Sequence, residues 1–476
     1  MMADIARHPM NSDPARSPIR IANGAGFWGD NLDAPVTLAK SGEIDVLTLE
    51  YLAELTLAIL AHQRSKDPGA GFVGDFPELV ERLVPDLRDR HELAIVTNAG
   101  GLNPRACVLR CGAILDRSGL GDRRIAMIGG DDVLAKLAGW ASDGIDLAHM
   151  ETGEPIGTHL DKFVSANAYL GARPIATACL DKASLIVTGR VADASLTLGP
   201  AAAHFGWAWD DMTRLAGGSV AGHLIECGAQ ATGGLWHRWD DVANPESIGY
   251  PIAVVEEDGS CTITKPSGSG GLVTVANVAE QIVYEIDDPA HYRTPDIDVD
   301  LTTVELAQEG RNRVRVTGAT GRPPSGKLKI AAVYRDGWTA SAMVAVVGRN
   351  AEGKARAAGQ LVLDRVRASG VQIADSLVEV LGANSIAPGV VPLAASPFEV
   401  VLRVSVRDPS RAVVERFCRE MAPLVTSGPP GIAGYASGRP SPRPAFGYWP
   451  TLVDAGLVPP TLQTRTAHEW AMEATR

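Results

Sequence analysis

Four segments of the chain share one pattern, in which a short apolar run ends at glycine and a polar residue. They are IRIANGAGFWGD (19–30), LAIVTNAGGLNPRAC (93–107), RIAMIGGDD (124–132) and SLIVTGRVADAS (184–195). A run of about five aliphatic residues that stops at glycine is typical of a buried strand, and a helical pattern follows each run. The pattern predicts an α/β fold with a mostly parallel N-terminal sheet and helices on both of its faces.

Polar residues and glycines stand where these predicted strands end. A ligand of an open parallel sheet binds outside the carboxyl ends of the strands, so we expect one cleft there. The residues expected to bind substrate are Asn23, Gly24, Gly26, Asn98, Gly100, Gly101, Asn103, Arg105, Asp131 and Arg190. Backbone N–H groups of the Gly24 and Gly100 loops would support an oxyanion, and Arg190 would hold a carboxylate or a phosphate.

The segment LAGGSVAGHLIECGAQATGG (215–234) is the main candidate for chemistry. On a helix, His223 and Glu226 lie on one face, and a carboxylate beside an imidazole suits general acid–base catalysis near neutral pH. We expect His223, Glu226 and Asp193 to be catalytic, with the carboxylate orienting the imidazole. Two plainer interpretations stay open, namely a solvated polar helix face and a surface ion pair between Arg190 and Asp193.

Three further motifs match known ligand sites incompletely. A dinucleotide fingerprint is formed by Gly24, Gly26, Gly29 and Glu50, but the bulky Phe27 and Trp28 stand where a phosphate would lie. Segment 321–327 matches G-x-x-x-x-G-K, but Leu328 follows it where a P-loop needs Ser or Thr. Metal-ligand side chains cluster at His149, Glu151, Glu154 and His159 without a helical spacing, and we predict no metal site.

The net charge, the apolar segments and the cysteines indicate which partners and which cellular compartment to expect. Lys and Arg total 44 against 56 Asp and Glu, a net charge of −12, which argues against nucleic-acid or membrane partners and leaves a small-molecule substrate. No apolar stretch reaches the roughly 20 residues of a membrane span, and six cysteines form no C-x-x-C pair. We expect a cytoplasmic protein that forms a homo-oligomer, with a small accessory subunit as a further partner.

The length of 476 residues exceeds what one core usually supports, so we predict several domains. Residues 1–17 are expected to be a disordered tail, and residues 18–250 the α/β domain that carries the site. Residues 251–426 show hairpin signals at Asp258-Gly259, Glu309-Gly310 and Asp336-Gly337, and then a helix-strand-helix pattern. This order predicts a smaller α+β ferredoxin-like domain. The Gly/Pro-rich residues 427–476 are expected to be a closing loop.

Several longer segments carry a family resemblance. They are IANGAGFWGD, TNAGGLNP, TGRVADASLTLGP, AGHLIECGAQATGG, TKPSGSGGLVTVANVAEQ (264–281), YEIDDP and APLVTSGPPG. Together they resemble the acyclic terpene utilisation AtuA family over about residues 19–450. The resemblance implies an N-terminal α/β domain, a smaller C-terminal ferredoxin-fold domain and a setting in terpene breakdown through branched acyl-CoA thioesters. It assigns no catalytic residues.

These observations lead to one main hypothesis about function. The chain would be a catabolic hydratase or lyase that acts on a small carboxylate or a branched acyl-CoA thioester. The cofactor is left open, with coenzyme A entering only as part of the substrate. The alternatives are a non-catalytic or accessory subunit that binds a CoA metabolite or a partner enzyme, and an NAD(P)-dependent oxidoreductase.

Overall fold

A computed structural model describes residues 16–390 and 396–474. The expected N-terminal tail, residues 1–17, falls almost entirely outside the described residues. The described chain forms two compact units. The first takes in the chain up to Leu160, Val164–Ala332 and the chain from Trp449 onward, and the second takes in Asp161–Phe163 and Val333–Tyr448.

The strands are numbered in chain order. They are β1 (Ile19–Asn23), β2 (Val46–Leu49), β3 (Ala94–Thr97), β4 (Arg124–Gly129), β5 (Phe163–Ala168), β6 (Leu185–Thr188), β7 (Ile252–Val255), β8 (Cys261–Thr264), β9 (Tyr292–Arg293), β10 (Asp298–Asp300), β11 (Glu305–Gly310), β12 (Arg313–Thr317), β13 (Thr320–Arg322), β14 (Lys327–Val347), β15 (Asp375–Leu381), β16 (Glu399–Asp408), β17 (Ile432–Tyr435), β18 (Arg443–Asp454) and β19 (Thr461–Thr466).

The helices are numbered in the same way. They are α1 (Asp33–Ser41), α2 (Glu54–Lys66), α3 (Phe76–Asp89), α4 (Pro104–Arg117), α5 (Leu137–Ser142), α6 (Arg173–Leu180), α7 (Ser195–Phe205), α8 (Met212–Glu226), α9 (Val275–Ile282), α10 (Ala351–Ala368), α11 (Arg411–Met421), α12 (Leu424–Ser427) and α13 (Ala467–Ala474). Among the residues described, no helix combines the length and apolar character needed to cross a bilayer.

The first unit is built on a sheet of ten strands in the order β11-β12-β8-β7-β1-β2-β3-β6-β4-β19. The central five, from β1 to β4 in that order, pair in parallel, as the four repeated segments predict. All four residues of β2 and of β6 are buried, and successive side chains of a strand point to opposite faces. Both faces of the sheet are therefore covered, and the predicted α/β class is confirmed.

Antiparallel strands extend this sheet beyond the expected end of the α/β domain at residue 250. Strand β7 pairs with β1, β8 with β7, and β12 with β8. The Asp258-Gly259 hairpin lies between β7 and β8, as predicted, and Gly259 has a φ of +88°. Because β7 and β8 bury apolar side chains against the first core, the second unit begins at Val333 instead of at residue 251.

The main elements of the second unit, which are β14, α10, β15, β16, α11 and β17, follow the order β-α-β-β-α-β. The short α12 lies between α11 and β17, and the first part of β18 follows β17. The four main strands form an antiparallel sheet in the order β15-β16-β14-β17, and α10 and α11 share a buried core with it. Numbered within the unit, that order is 2-3-1-4, and the succession of elements agrees with the split β-α-β pattern expected from the sequence. The assignment to the ferredoxin-like fold itself stays a prediction.

One expected hairpin is absent from its place in the sequence. Asp336-Gly337 was predicted to turn the chain, but both residues lie inside the continuous strand β14. Gly337 has a φ of +79°, and a Cβ at this position would lie 2.5 Å from the Asp408 carbonyl oxygen. The glycine therefore permits a local irregularity against β16, and the chain continues in the same direction.

The expected closing loop at residues 427–476 was also wrong as a description of local structure. It contains β17, β18, β19 and α13. Strand β19 pairs antiparallel with β4, and the buried Trp470 of α13 donates from its indole nitrogen to the Ile125 carbonyl oxygen at 3.2 Å. Burial of the large Trp470 ring stabilises this segment, and the glycine and proline content of the segment does not predict that contribution.

Candidate active site

A cavity of about 1190 Å³ lies within the first unit. The loops after β1, β2 and β6 and the carboxyl end of α8 contribute to its wall, as expected for the edge where parallel strands end. Five of the residues singled out from the sequence line it, namely Gly26, Arg190, Asp193, His223 and Glu226. These five come from three separate segments, so the fold brings them to a common surface.

Helix α8 is brought to this cavity by glycines that permit close backbone packing. A Cβ at Gly217 would lie 2.0 Å from the Gly259 carbonyl oxygen, and one at Gly222 would lie 2.6 Å from that of Ala194. The end of the helix is fixed by Asn23, whose amide nitrogen donates to the carbonyl oxygens of Ile225 (2.8 Å) and Glu226 (2.7 Å). Glu226 is thereby held beside the loop that carries Asp193.

His223 and Glu226 form a buried pair in the cavity wall. The His223 Nδ1 lies 3.0 Å from Glu226 Oε1, and His223 Nε2 lies 3.0 Å from the Ile282 carbonyl oxygen. The side chains are 2% and 11% exposed, respectively. Since a carbonyl accepts only, Nε2 carries a hydrogen, and the second proton is shared between Nδ1 and Oε1. Glu226 Oε2 is buried without a hydrogen-bond partner among the described residues.

The electrostatics of the pair favour retention of this shared proton. Burial acts to lower the pKa of His223, but the charge and hydrogen bond of Glu226 and the Ile282 carbonyl outweigh it and raise the pKa. Burial raises the pKa of Glu226, His223 opposes the rise, and the nearby Asp193 charge adds to it. The two groups therefore titrate together, and the free Oε2 is the atom through which the pair can exchange a proton with a ligand.

This geometry reverses the roles expected from the sequence. Both ring nitrogens of His223 are engaged by protein groups, whereas one oxygen of Glu226 has no partner among the described residues. The imidazole thus orients the carboxylate. His223 is a positioning residue, and Glu226 is the group that can react.

Arg190 lies among acidic groups of the cavity wall. Its Nη1 is 3.4 Å from Glu50 Oε1 and also donates to the Leu52 carbonyl oxygen, while Nη2 pairs with Asp193 at 3.0 Å. The guanidinium carbon stands 4.1 Å from the centre of the Tyr169 ring. Both terminal nitrogens are engaged and Nε has no hydrogen-bond partner among the described residues. The guanidinium therefore orients neighbouring acids, and its expected role as an anion anchor stays a prediction.

Asp131 does not line the cavity but supports the loop that does. Its Oδ2 accepts from the Arg190 backbone N–H and from Asn167 Nδ2, both at 2.8 Å. A Cβ at Gly189 would lie 2.3 Å from Asp131 Oδ1, so glycine leaves room for this carboxyl. Burial raises the pKa of Asp131 to about 6, and the two hydrogen bonds oppose that rise.

The other strand-end residues also serve the fold and lie outside the cavity. The N–H groups of Gly24 and Gly101 donate to the carbonyl oxygens of Thr48 (2.9 Å) and Asn98 (3.0 Å). A Cβ at Gly100 would lie 2.4 Å from the Thr188 carbonyl oxygen. The N–H groups of Gly24 and Gly101 are therefore engaged within the backbone, and oxyanion support from these loops stays a prediction.

Three polar side chains of this group have structural partners. Asn98 Oδ1 accepts from the Tyr51 N–H at 2.8 Å, and Asn103 caps α4 by accepting from the Ala106 N–H at 3.2 Å. Asn103 is the N-cap residue and Pro104 the first residue of α4, positions that suit the asparagine side chain and the fixed φ of proline. Arg105 pairs with Glu473 and is more than half exposed, so its guanidinium lies away from the cavity.

The incomplete motifs have local explanations. Gly26 approaches the backbone of Cys227, where a Cβ would lie 2.8 Å from the carbonyl carbon, and α1 begins only at Asp33. The glycine motif is thus accounted for by packing. The 321–327 segment joins β13 to β14 and no helix follows it. Across the described ranges, no group of three or more acidic, histidine or cysteine side chains is arranged to hold a metal ion.

The sequence analysis missed several cavity residues. Tyr169 donates from its hydroxyl to Glu54 Oε1 at 2.9 Å, and Lys329 lies 3.6 Å from the same oxygen. Lys327 and Lys329 alternate along β14, so they lie on one face, which is the signal that could have been noticed. Glu50 was considered only as part of a dinucleotide motif.

Comparison with known families gives a match over most of the chain. A family model described as acyclic terpene utilisation family protein AtuA matches residues 19–464. The chain belongs to the acyclic terpene utilisation AtuA family. Membership points to a role in acyclic terpene utilisation. No curated protein and no solved structure matches the chain.

Proposed function

We propose that this AtuA-family protein is a hydratase or dehydratase of branched acyl-CoA thioesters. One observation carries the proposal, namely that Glu226, a buried residue in the wall of a large cavity, is oriented by His223 and keeps one carboxyl oxygen without a partner among the described residues. Addition or removal of water beside a thioester carbonyl requires a positioned base for the hydrogen on the α-carbon. Glu226 Oε2 would be that base.

The charge distribution along the cavity wall supports an acyl-CoA substrate. Asp193 and Glu226 are acidic groups of this wall with side chains 34% and 11% exposed, and a free carboxylate beside them would meet like charge. Lys327 and Lys329, with side chains 50% and 40% exposed, stand at the solvent-facing part of the wall. A substrate with a neutral thioester at one end and phosphates at the other matches this gradient.

An apolar rim on the cavity supports a branched hydrocarbon chain as the acyl part. The rim consists of exposed side chains of the cavity wall, Phe27, Met150, Leu235, Tyr284 and Leu452. Leu235 is 81% exposed and Phe27 55% exposed, and such large apolar groups gathered at a cavity are typical of a binding surface. A terpene-derived acyl chain would cover them.

The test is water addition to a panel of branched α,β-unsaturated acyl-CoA thioesters, followed by mass spectrometry. We expect one or more members to gain a water, and Lys327→Gln to raise KM about 2- to 5-fold with kcat nearly unchanged, because an exposed ion pair contributes about 1 kcal/mol or less. The matched control is the exposed Lys66→Gln on α2, which should leave KM unchanged.

A second substrate form identifies what Lys327 contacts. Thioesters of N-acetylcysteamine lack the phosphates, so wild type and Lys327→Gln should convert them with equal KM. A wild-type protein that adds water to none of the thioesters, at any pH between 6 and 9, would rule out the proposed reaction.

A further inference from the structure

Glu50 follows β2 directly and presents an asymmetric carboxyl to the cavity. Oε1 accepts from the Leu52 N–H at 2.9 Å, from Asn98 Nδ2 and from Arg190 Nη1 at 3.4 Å. Oε2 is buried and has no hydrogen-bond partner among the described residues. The residue is 6% exposed. All protein donors thus converge on one oxygen of a residue that lines the cavity, and the other oxygen has no protein donor among the described residues.

The charges around Glu50 leave it without a full counter-charge. The facing groups are Asp193 and Arg190 from the loop after β6 and the Asn98 amide from the loop after β3. Arg190 is shared with Asp193, so one guanidinium faces two carboxyls. Burial raises the pKa of Glu50 well above its ordinary value, Asp193 adds to the rise, and Arg190 and Asn98 oppose it.

We propose that Glu50 is a neutral carboxylic acid that carries its proton on Oε2 and donates that proton to the substrate hydroxyl during dehydration. The hydrogen-bond pattern supports this assignment, since a protonated carboxyl accepts on its carbonyl oxygen and donates from its hydroxyl. A carboxyl kept neutral by an apolar or crowded site is an effective donor to a developing negative oxygen. The catalytic part of this inference rests on the proposed function.

The two carboxyl groups, Glu226 and Glu50, account for both proton transfers of the dehydration. In dehydration, Glu226 Oε2 takes the hydrogen on the α-carbon as a proton, the β-carbon–oxygen bond breaks, and Glu50 gives its proton to the departing hydroxyl as water. Glu50 is then a carboxylate and Glu226 has gained a proton, and exchange with solvent restores both. Hydration runs through the same atoms in reverse, with no oxidant or reductant.

The protonation state is tested by infrared difference spectroscopy of the full chain at pH 7. Glu50→Gln retains an oxygen acceptor at the Oε1 position, so wild type minus variant should show the loss of one protonated-carboxyl C=O band. The control Glu305→Gln changes an exposed acid on β11 and should remove no such band. A Glu50→Gln protein with the wild-type melting temperature and an unchanged carboxyl region would overturn the inference.

A second variant covers the case in which Glu50→Gln does not fold. Glu50→Asp keeps a carboxyl but shortens the side chain, so the band should move in frequency, and a stationary band contradicts the assignment. For activity, Glu50→Gln should lower kcat about 10²-fold or more with little change in KM. An unaltered kcat rejects Glu50 as the acid while the hydratase proposal stands. If the wild type converts no thioester but the band disappears in Glu50→Gln, the hydratase proposal fails and the neutral acid remains supported.

Discussion

At the residue scale, buried polar side chains organise the cavity by holding one another. Asn23 secures the end of α8, Asn98 supports the loop after β2, and Asp131 supports the Arg190 backbone. The sequence pattern located these residues at strand ends correctly. It could not separate those that face a ligand from those that face a neighbouring loop, since that depends on which strands are adjacent.

Asp131 gives a measurable pH dependence of stability. Its folded-state pKa of about 6 exceeds the unfolded value of about 3.9, so the folded chain binds the proton more tightly. The stabilisation is fully present below pH 4 and is lost as the pH rises through 6. The difference in unfolding free energy between Asp131→Asn and wild type should therefore shift by about 2 kcal/mol in favour of the variant between pH 4 and 7.

Urea unfolding at four pH values measures this difference. The control is Asp122→Asn, an exposed acid that follows α4 in the same unit, whose unfolding free energy should run parallel to that of the wild type. Parallel curves for Asp131→Asn and wild type would show that burial does not perturb this carboxyl.

At the scale of elements, α8 illustrates what local sequence does and does not reveal. Its glycines permit a close approach, but the local sequence does not identify the partner, which is the backbone at Ala194 and Gly259. The Asp336-Gly337 prediction failed for a related reason. Pairing of β14 with β16 along ten residues outweighs the local turn preference of Asp336-Gly337. The dipeptide alone cannot predict this pairing, because the partner strand lies 60 or more residues away in the sequence.

Gly222→Ala should displace α8 from the loop that carries Asp193. The added methyl would meet the Ala194 carbonyl oxygen and Cα at 2.6 and 2.8 Å, both backbone atoms that cannot rotate away. We expect a net destabilisation of about 1–3 kcal/mol, because overpacking outweighs the gain of about 1 kcal/mol in helix propensity. Gly139→Ala on α5, where no atom lies within 4 Å, is the matched control and should be neutral or slightly stabilising. Equal stability of Gly222→Ala and wild type would contradict this account of the packing.

At the scale of the whole molecule, the sequence predicted the elements better than their grouping. The repeated strands revealed the parallel centre of the large sheet, because their burial on both faces makes them uniformly apolar. The antiparallel strands β7, β8 and β19 join the same sheet from later segments, and that choice of partner is a long-range property. For the same reason, the sequence did not show that Lys327 and Lys329 of β14 line the cavity.

The central claim is that Glu226 Oε2 acts on substrate and that His223 only orients it. The most direct measurement is solvent-deuterium incorporation at the α-carbon of a converted acyl-CoA thioester, compared among wild type, Glu226→Gln and His223→Gln, with Glu305→Gln as the exposed control. We predict that Glu226→Gln loses at least about 10²-fold in exchange rate, that His223→Gln loses less, and that Glu305→Gln matches the wild type. Undiminished exchange in a folded Glu226→Gln protein would contradict the account.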